Sequence, residues 1–231
     1  MIKNLKKLIR NKLKTSPKII NIDTSNLKAP SVNETFNYII DLNPRVTSIH
    51  EQLTLFNLGS VSKGTVIEIG SYLCYTSVII ASSFNKSDGR KLYAIDMYDR
   101  EKGWNQTHPT SDDSIFEKYS QIEYAKKVIR DCNQADSVIT KKGKSSEFVE
   151  EMANINDIGL IFVDGDHTYD GVMQDLMNYS PMLNEGGYLV MHDYVCESHP
   201  EVRLAADEFL DKKSNYVPIS IVNSMLVIKK R

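Results

Sequence analysis

The chain has 231 residues, of which 41% are hydrophobic and 25% charged, the composition of one large globular domain or a domain with an appendage. Its three cysteines, Cys74, Cys132 and Cys196, are far apart and form no CxxC pair. That argues against a disulfide or zinc framework and suits a reducing, cytoplasmic setting. The formal net charge of −2 conceals an asymmetry: residues 1–22 hold 7 of the 28 basic side chains and no acid, so the rest carries 21 basic against 30 acidic, a net −9.

From Met1 to Lys18, Ile2, Leu5, Leu8, Ile9 and Leu13 recur close to helical spacing among lysines, which predicts an amphipathic helix with a cationic face. Three readings of this arm stay open: packing on its own body or a second subunit, peripheral contact with anionic lipid at the inner membrane face, and nucleic-acid contact. The acidic body disfavours the last. No stretch reaches the ~18 apolar residues of a membrane span, and the arm lacks the unbroken apolar core of a signal peptide. Pro17, Pro30 and Asp23-Thr24-Ser25-Asn26 read as a linker, so residues 1–30 form an arm and 31–231 the folded domain.

Two helices are predicted next, near Asn33–Leu42 and Thr47–Leu58. The chain then alternates. Strands fall at Thr65–Ile69, Lys91–Asp96, Ser137–Thr140, Gly159–Asp164 and Gly187–His192. Helices fall at Leu73–Ser83, Ser114–Asn133, Ser145–Asn154, Tyr169–Tyr179 and Pro200–Lys212. Strands separated by helices imply a parallel sheet. Tyr216–Val222 and Met225–Lys230 are joined only by Asn223-Ser224, which forces an antiparallel hairpin. The expected fold is α/β: a doubly wound, mostly parallel seven-stranded sheet with a C-terminal antiparallel hairpin.

Ligands of such sheets bind beyond the carboxyl ends of the strands, and polar clusters stand at five of those ends. Strand one ends in Glu68 and Gly70, before the helix that carries Thr76. This turn is expected to aim backbone N–H groups and a helix N-terminus at an anionic group. It lacks the second and third glycines that let a pyrophosphate approach, and Glu68 would repel a second phosphate. A ligand with a carboxylate and a nearby cationic centre, such as S-adenosylmethionine, suits it better than a dinucleotide. Asp96 ends strand two, 26 residues past Gly70, where a carboxylate accepts both ribose hydroxyls. The bland alternative for Asp96 is a loop or capping acid.

Asp164, Asp166, His167, His192 and Asp193 end strands four and five. Asp164 and Asp193 on neighbouring strands would repel unless a proton or a cation such as Mg²⁺ lies between them. His167 is placed to take a proton from a substrate hydroxyl; the alternative has it bonded to backbone, with Asp166 capping the next helix. The polar loop Asp99–Asp113, with Trp104 and His108, reads as a substrate lid or an ordinary surface loop. His50 and His199 have no partner in sequence and read as solvated.

The runs Glu68-Ile-Gly-Ser-Tyr-Leu-Cys-Tyr-Thr-Ser77, Ala94-Ile-Asp96, Gly143-Lys-Ser145, Phe162-Val-Asp-Gly-Asp-His-Thr-Tyr169 and Gly187-Tyr-Leu-Val-Met-His-Asp-Tyr194 resemble class I S-adenosylmethionine-dependent methyltransferases over residues 45–231. The catechol O-methyltransferase-like branch is the nearest in pattern, and within it the small sugar and natural-product enzymes, including macrolide-sugar and rhamnosyl O-methyltransferases. Cephalosporin-hydroxylase-like proteins share the signatures. The resemblance implies that Glu68, Gly70 and Tyr72 line the methionine part of the cofactor, with Thr76 near its carboxylate. It likewise implies that Asp96 holds the ribose, that Ser145 lies by the adenine, and that Asp164 and Asp193 are acidic metal ligands. Three positions depart from the catechol enzymes: Cys74 replaces a glycine, Tyr194 an asparagine metal ligand and His167 the lysine base. His192 supplies a third ligand, or metal binding is lost.

The expected activity is therefore methyl transfer to a hydroxyl of a sugar, glycan or small natural product, with catalysis by His167 and Asp164. A homo-oligomer and lipid contact through the arm stay open, and no nucleic-acid partner is expected. The alternatives are a nicotinamide-dependent oxidoreductase, disfavoured by the glycine pattern, and an inactive cofactor-binding partner protein.

Overall fold

β-branched and aliphatic runs too short for helices pair here into one twisted sheet. The computed structural model describes residues 47–100 and 113–231. The arm of residues 1–30, the helix expected at 33–42, and Trp104 and His108 of the loop read as a lid or a surface loop lie outside them. Seven strands, β1 (Thr65–Ile69), β2 (Leu92–Asp96), β3 (Val138–Lys142), β4 (Ile158–Val163), β5 (Leu183–Met191), β6 (Tyr216–Val222) and β7 (Met225–Lys230), lie in the order β3-β2-β1-β4-β5-β7-β6. β1 to β5 pair in parallel; β7 runs antiparallel between β5 and β6, as the two-residue connection at Asn223-Ser224 requires. The β6–β7 ladder shifts register between Pro218 and Ser220.

Helices cover both faces. Helices α1 (Ile49–Val61), α2 (Tyr75–Ser82), α3 (Asp113–Phe116) and α4 (Gln121–Asp131) share one core with Val66, Leu92, Leu160 and Phe162. Helices α5 (Val149–Ala153), α6 (Tyr169–Tyr179) and α7 (Pro200–Lys212) share the other with Ile67, Ile95, Ile161 and Leu189. Burial on both faces explains why β4 reads as an unbroken apolar run rather than an alternating one. Each fully buried side chain such as Phe162 contributes about 1.5–3 kcal/mol of transfer free energy.

Several expected boundaries move, among them the helix expected at 47–58, which runs Ile49–Val61, and the strand expected at 187–192, which runs Leu183–Met191; three others have a local reason. The helix expected over 114–133 is two: Ser120 restarts it with a capping box, its N–H and hydroxyl both donating to Glu123 at 2.8 and 2.9 Å. The helix expected from Leu73 begins at Tyr75, because Cys74 takes a left-handed φ of 62°. The segment after β3 is a tight 3₁₀ turn, Ser145–Phe148, before the short α5. The three cysteines are all free. Among the described residues no helix is long and apolar enough to cross a membrane.

Candidate active site

The strand order reverses between β1 and β4, so the connections from these strands leave toward opposite faces and open a crevice at their carboxyl ends. There the structure forms a cleft of about 960 Å³. Its walls include Gly70, Tyr72, Thr76, Asp96, Ser145, Asp164, His167 and Asp193, so eight of the nine expected site residues meet in one place.

The ninth, Glu68, lies beneath the cleft. It is fully buried and accepts hydrogen bonds from the hydroxyls of Thr76 and Ser77 at the start of α2. Burial pushes its carboxyl up to about 7, against the pull of those two hydroxyls. Gly70 closes the turn at φ 85°, and a Cβ there would stand 2.0 Å from the Asp164 carbonyl oxygen. Only glycine lets β1 and β4 come so close.

The turn's own donors differ from expectation. Gly70 and Ser71 donate their N–H groups to the Ile95 carbonyl, Tyr72 to Asp96 Oδ2 and Cys74 to the Ser71 carbonyl. These four N–H groups are used in holding the turn. Asp96 also accepts from Tyr98 N at 2.8 Å and Gln121 Nε2 at 2.9 Å. Burial raises its pKa, with those three donors acting in the opposite direction. Tyr98, buried and itself at φ 45°, places its hydroxyl 2.6 Å from Ser71 Oγ and 3.2 Å from Cys74 Sγ. At the far end Ser145 donates to Asp175, a buried carboxyl that desolvation pushes up to about 6. Asp166 accepts from Thr168 N at 2.8 Å and shapes the loop before α6, but the cap of that helix is Thr168, whose hydroxyl accepts from Gly171 N, and not Asp166 as the alternative had it.

The β4–β5 rim is built differently. Asp193, at φ 54°, points Oδ2 to within 3.0 Å of His167 Nε2 and 3.3 Å of His192 Nδ1. Asp164 Oδ1 lies 3.3 Å from His192 Nδ1 and 3.9 Å from His167 Nε2. Burial resists ionisation of Asp193, yet the two imidazoles hold it far below the usual carboxylate range. Burial raises Asp164, and the contact with His192 only moderates that. Burial opposes a charge on His192, but Asp164, Asp193 and Glu51 outweigh it and its pKa is raised to about 12. His167 is raised chiefly by Asp193.

Distance and alignment disagree in this cluster. His167 Nε2 and His192 Nδ1 are buried and make no aligned hydrogen bond, although carboxylate oxygens are close. Ligand atoms of Asp164, His192 and Asp193 all lie within 4.8 Å of one another. Orphaned nitrogens facing two carboxylates fit a divalent cation. Tyr194 takes no part: its hydroxyl donates to Asp207 at 2.8 Å and its ring is buried in the α7 core.

Several residues here had no reading as site residues in the sequence. His199 stacks on His167 with ring centroids 4.1 Å apart and lines the cleft, rather than standing solvated. Glu51 and Ser224 approach His192 from α1 and the β6–β7 turn, and Gln121 reaches Asp96 from α4. Of these only Glu51 had a signal, the Ser48-x-x-Glu51 capping box.

A family profile described as a methyltransferase domain matches residues 67–194, more than half of the chain. Among solved structures, the chain is similar to the O-methyltransferase TomG from Streptomyces achromogenes, involved in tomaymycin synthesis and solved with S-adenosylmethionine. That match is 16% identical, covers 90% of this chain and 93% of that one, and has a TM-score of 0.62. An O-methyltransferase from Bacillus cereus in complex with S-adenosylhomocysteine is 14% identical over 90% of this chain and 95% of that one, with a TM-score of 0.59. The O-methyltransferase NovP is 17% identical over 79% and 80%, with a TM-score of 0.58. At such identities the likeness is one of fold. Uncharacterized protein R132 of Acanthamoeba polyphaga mimivirus is 46% identical over 39 residues; the match spans 17% of this chain and only 18% of that protein. The glycine turn, the switch-point cleft and the matched profile lead to one conclusion: the chain belongs to the methyltransferase-domain family.

Proposed function

We propose that the protein is an S-adenosylmethionine-dependent O-methyltransferase whose acceptor is a hydroxyl of a sugar, glycan or small natural product. The observation that carries this reading is the pairing, in one cleft, of the Gly70–Asp96 wall with His167 and Asp193 on the opposite rim. Bound S-adenosylmethionine supplies an electrophilic methyl group on a sulfonium centre. The chain's part is to position and deprotonate. Gly70, Tyr72 and Thr76 line the methionine end, Asp96 the ribose, and Ser145 with the buried Asp175 the adenine end. Tyr75 and Thr76, the first residues of α2, border the methionine end of the cleft.

Held there, S-adenosylmethionine would give its methyl group to the acceptor oxygen and leave as the neutral thioether, with the acceptor proton taken by His167. Asp193 orients the His167 ring and stabilises the imidazolium that forms. Alignment accounts for most of the acceleration. Proton removal contributes about 10²–10⁴-fold. A divalent cation held by Asp164 and Asp193 would lower the pKa of the acceptor hydroxyl. The involvement of TomG in tomaymycin synthesis supports the small-molecule reading. The acidic body disfavours nucleic acid, while the basic arm suits packing on the body or a second subunit, or anionic lipid at the cytoplasmic membrane face.

Calorimetry separates this reading from nicotinamide chemistry. Heat with S-adenosylmethionine and none with NAD is the expected result. Binding of NAD alone would overturn the reading.

A further inference from the structure

The rim holds an element that an oxygen-only cation site does not need. His192 is 8% exposed, and its Nδ1 lies 3.3 Å from both Asp164 Oδ1 and Asp193 Oδ2 without aligning on either. Its other nitrogen, Nε2, faces Glu51 Oε1 at 3.6 Å and Ser224 Oγ at 3.3 Å. Glu51 is 3% exposed and tightly anchored. Its Oε2 accepts from Ser48 N and Oγ, both at 2.8 Å, and its Oε1 from Ser224 N at 3.0 Å and Oγ at 2.8 Å. A carboxylate locked behind one imidazole nitrogen while the other faces acids is the arrangement that fixes a metal-ligating histidine in orientation and tautomer.

We propose that His192 Nδ1 is a direct metal ligand, held in place by Glu51, and that Asp164, Asp193 and this imidazole select a transition-metal dication over Mg²⁺. The inference rests on the dication reading of the same rim. The chemistry follows from donor type: Mg²⁺ takes oxygen ligands and keeps its waters, whereas imidazole suits Mn²⁺, Fe²⁺, Co²⁺ and Zn²⁺ increasingly well. Glu51 acts only through His192, as a positioning residue.

The test uses the metal-stripped full chain and needs no acceptor. Mn²⁺ is added, and electron spin-echo spectra are read for ¹⁴N coupling to the ion. The coupling is expected in the wild type and in His167→Ala, and is expected to vanish in His192→Asp. By titration, Co²⁺ is expected to bind at least about tenfold tighter than Mg²⁺, and His192→Asp to shrink that ratio at least about tenfold. Glu51→Gln keeps His192 and is expected to weaken Co²⁺ binding about 10–100-fold, with the melting temperature of the metal-free protein tracking any loss from the α1 cap. Metal binding without nitrogen coupling, or coupling that survives His192→Asp, overturns the ligand assignment and leaves the dication reading standing. No metal binding overturns both, while S-adenosylmethionine calorimetry on the same sample reports the methyltransferase reading independently.

Discussion

The two walls of the cleft are finished to different degrees. On the β1–β2 side nearly every polar group has its partner: Glu68 with Thr76 and Ser77, Asp96 with three donors, Tyr98 with Ser71 and Cys74. On the β4–β5 side two acids and two imidazoles crowd together, and two buried nitrogens lack an aligned bond. The first wall is a scaffold that shapes space by satisfying itself. In the function proposed above, the second keeps its bonding capacity for a cation or an acceptor hydroxyl. Division of labour between shaping and reacting is what a positioning enzyme needs, because strain in the scaffold would blur the geometry the reactive wall depends on.

Mutations that separate the walls test this contrast. The largest effect is expected on the reactive side: His167→Ala should lower kcat about 10²–10⁴-fold and leave the dissociation constant of S-adenosylmethionine within about twofold. Steady-state rates and calorimetry on one sample check it, and unchanged turnover would remove His167 as the base. Gly70→Ala should act through the scaffold. Its Cβ cannot stand 2.0 Å from the Asp164 carbonyl, so β1 and β4 must part, with a loss of about 3 kcal/mol or more in urea unfolding and loss of cofactor heat.

Glu68 gives the contrast a pH signature. The folded chain keeps the Glu68 proton up to about pH 7, while the unfolded chain releases it near the ordinary value of 4.5. The stability contributed by the protonated form is present below about pH 4.5 and is lost as pH rises through 7. Glu68→Gln cannot ionise and keeps an acceptor for the two hydroxyls. It should gain on the wild type above pH 7, by at most about 3 kcal/mol, with the gap closing toward pH 4.5. Parallel melting curves across that range would show instead that Glu68 titrates alike folded and unfolded. Tyr98→Phe should be the mildest, costing about 1 kcal/mol in urea unfolding through loss of its bond to Ser71.

The same contrast separates what the sequence disclosed from what it concealed. Strand ends were legible because an apolar run stopping at an acid or glycine is a local pattern, so Gly70, Asp96, Asp164, His167 and Asp193 emerged together. The hairpin was legible because two residues cannot cross a sheet. The free donors expected at the Gly70 turn were not there, since the Ile95 carbonyl and the Asp96 carboxylate claim them from the neighbouring strand. Glu51 and Ser224 stand 173 positions apart, and nothing local relates them. His199 had no readable partner because its stack on His167 arises only when the loop after β5 folds over the rim. The split of the helix over 114–133 is written in Ser120-x-x-Glu123, a start signal masked by the longer helical pattern around it.

The outermost strands carry one more consequence. A sheet that stops exposes unpaired backbone groups, and those groups recruit further strands from other molecules. Here β3 ends in Lys141-Lys142, and β6 breaks its ladder at Pro218, which has no N–H to offer. Charge on one border and a missing donor on the other both discourage strand addition between copies. Among the described residues, both borders of the sheet are thus poor templates for a further strand.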